Sequence, residues 1–139
     1  MKCKTSFMYK GLALLCGLLL LSACATTAPK APDIQERANA RWEALLSGDI
    51  AAAYEYLSPG YRSSVSSLQY QRAILLKRVQ WTGVEYRAHE CTETSCNVKF
   101  VLSYKVAGAL PGVRSYEGKM DIEEPWVMVG KQWYYVPVQ

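Results

Sequence analysis

The sequence predicts an α+β domain over residues 33–139, with N-terminal helices packed on a curved antiparallel sheet. Three observations carry that expectation. Between residues 34 and 78 apolar residues recur at three- and four-residue intervals, the period of helices with one buried face. From residue 84 onward they alternate with polar residues, the period of strands with one wet face. All the helical segments precede all the strands, which is the order of a layered α+β fold.

The elements follow in chain order. Asp33 and Glu36 have capping-box spacing just after Pro32, with aspartate in place of the usual hydroxyl. Ile34, Ala38, Trp42, Leu45 and Leu46 then fall on one helical face, with Glu36, Arg37, Asn39 and Glu43 off it. Gly48 ends this helix as a left-handed cap. Asp49 opens a second, IAAAYEYL, which Ser58-Pro59-Gly60 stops. Ser66 or Ser67 caps a third, LQYQRAILLKR.

Strand alternation then places Val84, Tyr86, Ala88, Val98, Phe100, Leu102, Tyr104, Tyr116, Met120 and Ile122 inward. Glu85, Arg87, His89, Lys99, Lys105, Glu117, Lys119 and Asp121 face outward. PWVMV, a turn at Gly130-Lys131 and QWYYVPV close the chain, with Glu123 and Glu124 expected at a bend, charges outward, and entering the cone only if the strand bulges there.

RWEALLSGDIAAAYEYLSPGYR, a third helix and curved strands ending in PWVMVGKQWYYV resemble the NTF2-like (cystatin-like cone) superfamily across nearly all of residues 33–139. The resemblance implies a cone that often encloses a pocket. Some members of that superfamily are isomerases or dehydratases, and many are non-catalytic binding or accessory domains.

The first ten residues, MKCKTSFMYK, carry three lysines and no acid, and GLALLCGLLLL follows at residues 11–21. A basic stretch before a short apolar one reads as a secretory signal, too short for a comfortable membrane span of ~20 residues. Leu21-Ser22-Ala23-Cys24 resembles a bacterial lipobox. That resemblance implies removal of residues 1–23, lipid on Cys24 and, with Ala25 following, the outer membrane; the periplasmic face is the expected side, with the cell exterior left open. ATTAPKAP, after the cysteine, reads as a proline-bearing tether through residue 32.

Without the signal, thirteen basic residues of the total sixteen face twelve acids, which gives no electrostatic case for nucleic acid. Of five cysteines, only Cys91 and Cys96 remain beyond the lipidation site. In an exported chain they are expected to form a disulfide across a hairpin turn. A metal site would need further ligands, and His89 is the sole histidine, so no metal or cofactor is expected.

The alternation brings no carboxylate pair or His–carboxylate pair inward. Trp42, Asp49, Tyr54, Tyr86, Tyr104 and Tyr116 are the candidate pocket residues, Asp49 serving equally as a helix cap and the aromatics equally as core. His89 reads as a solvated residue rather than a general base. The serines at 63, 64, 66 and 67 read as loop and cap. The expected function is a non-enzymatic envelope lipoprotein, anchored in the membrane, that binds a protein partner or a small apolar ligand. The alternatives are an isomerase- or dehydratase-type enzyme using Tyr54 or Tyr86 with Asp49, and a structural subunit that dimerises through its sheet.

Overall fold

The computed structural model describes residues 33–110 and 112–138. The signal, Cys24 and the tether lie outside the described residues. Among the described residues, four helices, α1 (Ile34–Ser47), α2 (Ile50–Tyr54), α3 (Pro59–Ser64) and α4 (Ser67–Leu75), precede four strands, β1 (Val79–Cys91), β2 (Ser95–Leu110), β3 (Val113–Val129) and β4 (Gln132–Tyr135). The strands form one antiparallel sheet in the order β1-β2-β3-β4, and α1 packs on one face of it. The fold is α+β, as the sequence predicts. No described helix is long and apolar enough to cross a membrane.

The helix boundaries follow local chemistry. The Asp33 carboxylate accepts from the Gln35 amide and Gly48 closes α1 at φ 84°, where a side chain would be strained. Ser66 and Gln69 make a reciprocal capping box for α4. Helix α2 is shorter than expected, and Pro59-Gly60 starts a helix instead of ending one. Ser58 caps it and Pro59 takes a first-turn position, where a missing N–H costs nothing. Ser63 and Ser64 therefore sit in α3.

The sheet corrects several expected faces. Strand β1 bulges between Trp81 and Gly83 and again between Tyr86 and Ala88, and each bulge resets the alternation. After the second, Ala88 lies opposite Lys99 and His89 opposite Val98. Ala88 thus moves to the outer face and His89 to the face that carries the core. Strand β3 does not bend at Glu123-Glu124. It runs unbroken through Pro125, paired with β2 from Ser95↔Val127 to Val106↔Tyr116.

The main core joins Ala38, Trp42 and Leu45 of α1 to Val98, Phe100, Leu102, Trp126 and Trp133 of the sheet. A smaller cluster of Ile50, Tyr54, Leu57 and Tyr70 holds the short helices together. It is tied to the sheet by the packing of Tyr135 and by backbone: Leu57 bridges to Tyr135, with Tyr135 N–H donating to Tyr56 O at 2.8 Å and Ser58 N–H to Tyr135 O at 2.8 Å. The helices cover only part of the sheet. Tyr116 and Met120, expected inside, are 53% and 49% exposed on the uncovered end.

Candidate functional site

A half-open cavity of about 420 Å³ lies between α1, α4 and the sheet, within the range of ~300–1,000 Å³ typical of small-molecule pockets. Trp42, Tyr61, Tyr70, Trp81 and Tyr135 supply aromatic surface, Ile74 and Ile122 aliphatic surface, and Lys77 stands at the edge. Arg41 and Glu124 also line it, and they form its charged floor.

Arg41 belongs to the buried stripe of α1, in register with Ile34, Ala38 and Leu45. Glu124 follows Ile122 and precedes Trp126 on the core face of β3. Only an unbroken strand gives it that direction, and the expected outward bend is overturned on this point. The two side chains are 6% and 4% exposed, and Arg41 Nη1 donates to Glu124 Oε1 at 2.6 Å. The guanidinium also lies 3.9 Å from the Tyr135 ring centroid and 5.3 Å from that of Trp42, so aromatic faces share in holding its charge.

Burial pushes the Glu124 carboxyl up from its ordinary value, with Arg41 and, more weakly, the indole N–H groups of Trp126 and Trp42 opposing. Burial likewise pushes the hydroxyls of Tyr70 and Tyr135 up, against the charge of Arg41. The hydrogen bonding of the floor is incomplete. Among the described residues, Arg41 Nε, Trp42 Nε1, Tyr70 Oη, Glu124 Oε2 and Trp126 Nε1 are buried without a partner in good hydrogen-bond geometry, although the two indole N–H groups lie near enough to Glu124, and Tyr70 near enough to Arg41, to act on their charge. Arg41, Trp42, Tyr70 and Glu124 line the cavity, whereas Trp126 follows Glu124 on the core face of β3 and lines a separate depression beside Cys91 and Cys96.

Of the six expected pocket residues, the structure brings only Trp42 to the cavity. Asp49 is exposed and accepts from the Ala52 amide at 3.0 Å, capping α2. Tyr54 spends its hydroxyl on Val65 O at 2.7 Å. Tyr86 meets His89 Nδ1 at 2.6 Å, beside a flatter depression with Leu46 and Val84. Tyr104 and Tyr116 face each other at 6.3 Å on the far part of the sheet. A further depression follows the solvent side of α1 past Glu36 and Asn39 and holds none of the unpartnered buried groups. Among the described residues no group of three His, Cys, Asp or Glu side chains could hold a metal ion. Cys91 and Cys96 face each other at disulfide distance, with Cα atoms 4.0 Å apart.

The sequence did carry a signal for the missed pair. Arg41 stands seven residues after Ile34 on the apolar stripe, and Glu124 lies between Ile122 and Trp126 in strand alternation. Each is a charge at a core position, and the two are complementary.

No family model matches the chain, and a search of curated proteins returns no match. Solved structures do resemble it. A SEC-C motif containing protein from Rhodopseudomonas palustris is similar over 73% of this chain and 73% of its own, at 12% identity and a TM-score of 0.57. One from Psychrobacter arcticus is similar over 81% of this chain and 63% of its own, less than two thirds of its length, at 13% identity and a TM-score of 0.57. Neither carries the NTF2-like description that the sequence resemblance implies. At such identities the likeness concerns the fold: this chain shares its α+β arrangement with SEC-C motif proteins.

Proposed function

We propose that this chain is a non-enzymatic envelope lipoprotein, an NTF2-like domain tethered by lipid on Cys24 to the periplasmic face of the outer membrane. It binds a small ligand in the cavity above Arg41 and Glu124. The observation that carries the binding reading is the aromatic cavity itself, in which Arg41, Trp42, Tyr70 and Glu124 each bear a buried polar atom without a partner in good hydrogen-bond geometry. Such groups each cost ~1–3 kcal/mol, and a fold keeps them together where function needs them. The basic and apolar N-terminus ending in Leu21-Ser22-Ala23-Cys24 supports the tether.

One observation favours a second reading. A buried carboxyl held above its ordinary value inside an aromatic cavity suits acid–base chemistry, with Glu124 in the role that Asp49 was expected to fill. Its bond to Arg41 favours binding over proton transfer.

Native mass spectrometry of the full chain extracted from the envelope tests the proposal. The expected result is one retained small molecule, lost in Ala73→Trp, which narrows the cavity from an exposed position on α4. A chain that comes out empty overturns the binding reading. Palmitate labelling that persists in Cys24→Ala overturns the tether.

A further inference from the structure

The charges around the cavity are unevenly spent. Glu124 is bound by Arg41 at 2.6 Å. Glu123, though its residue borders the cavity, turns its carboxylate to the other face of the sheet. There it accepts from Asn97 Nδ2 at 2.7 Å and lies 4.0 Å from Lys99 Nζ. Among the described residues that line the cavity, Glu123 and Glu124 are the carboxylates, and neither is left free to draw a cation in.

The aromatic faces are occupied in the same sense. Arg41 covers Tyr135 and Trp42, and Lys77 Nζ lies 5.6 Å from the Trp81 ring centroid at the cavity edge. A cationic ligand would have to displace the protein's own cations from the rings that could hold it. An anion finds the opposite situation: apolar walls, a neutralised floor and a lysine at the entrance.

Resting on the reading of this cavity as a ligand site, we infer that it takes a small amphipathic acid. A flat apolar body lies against Ile74, Ile122 and the ring surface of Trp81 and Tyr135 that Lys77 and Arg41 leave uncovered, and the acid group stays at the mouth beside Lys77. The volume of about 420 Å³ suits a one- or two-ring molecule. The flat body follows from the walls, since an aromatic side chain gains most from a ring stacked on it or set edge-on against it.

The test uses three probes with one skeleton, 3-phenylpropionate, 3-phenylpropanol and 3-phenylpropylamine, and octanoate as a fourth. Each is titrated into the full-length, detergent-solubilised chain while tryptophan emission is followed, Trp42 and Trp81 both lining the cavity. Phenylpropionate is expected to bind about tenfold tighter than the amine and tighter than octanoate. Lys77→Gln should weaken phenylpropionate roughly fivefold, the scale of one exposed charge pair, and leave phenylpropanol unchanged.

Equal or tighter binding of the amine overturns the preference for an acid, as does a Lys77→Gln chain with unchanged phenylpropionate affinity. In both cases binding of the neutral alcohol leaves the cavity standing as a ligand site. Octanoate binding tighter than phenylpropionate overturns the flat body. If none of the four probes binds at millimolar concentration, the inference and the ligand-site reading fall together.

Discussion

Replacing Arg41 by methionine and Glu124 by leucine, singly and together, separates what the buried pair contributes from what its absence costs. At the observed 2.6 Å, attraction at an effective dielectric constant of ~20 is about 6 kcal/mol. Taking the two ions out of water costs several kcal/mol each, so the pair as a whole is near balance. The double variant should lie within about 1 kcal/mol of the parent or be more stable.

The single variants should differ from each other. Glu124→Leu leaves a guanidinium that cannot shed its proton, and it should lose about 3–5 kcal/mol at every pH from 5 to 8. Arg41→Met leaves a carboxyl that can become neutral. Burial already raises the Glu124 carboxyl, and without Arg41 the rise is larger. A carboxyl raised on folding binds more protons in the folded than in the unfolded chain, between its ordinary and its raised value. In that window stability falls as pH rises, by up to about 1.4 kcal/mol per pH unit. Arg41→Met should therefore be close to the parent near pH 5 and clearly weaker at pH 8. Urea unfolding followed by tryptophan emission at pH 5, 6.5 and 8, each variant compared with the parent, measures all of this. A loss in Arg41→Met that does not change with pH, or a double variant as weak as the two singles summed, would refute the reasoning.

Two further outcomes are expected. Reducing Cys91–Cys96, or replacing both with serine, should cost about 2 kcal/mol from the loop-entropy relation for so short a loop, read as a lower Tm. An unchanged Tm would mean that the pair does not constrain the unfolded chain. Asp49→Ala should cost about 1 kcal/mol as a lost helix cap and leave ligand affinity unaltered; a lost affinity would return Asp49 to the cavity.

The local features of this chain were readable without its structure because they depend on neighbours in sequence. Asp33, Gly48 and Asp49 bound α1 and α2 through hydrogen bonds and a φ angle that reach no further than four residues. The alternation of Val98, Phe100 and Leu102 put three core residues on the correct side of β2. His89 and Ala88 were misplaced because parity holds only between bulges, and a bulge depends on the partner strand as well as its own.

The sequence by itself determined the α+β order, the helix caps and the approach of two nearby cysteines to disulfide distance, all short-range matters of period, capping and chain reach. The tertiary structure alone decided the site. Two residues separated by 83 positions meet there, because strand pairing carries β3 through Glu123-Glu124-Pro125 without a break and α1 lies across the face to which Glu124 turns. Local preference favours a bend at two acids and a proline; the ladder with β2 and the burial of Trp126 outweigh it, and the carboxylate goes inside with them.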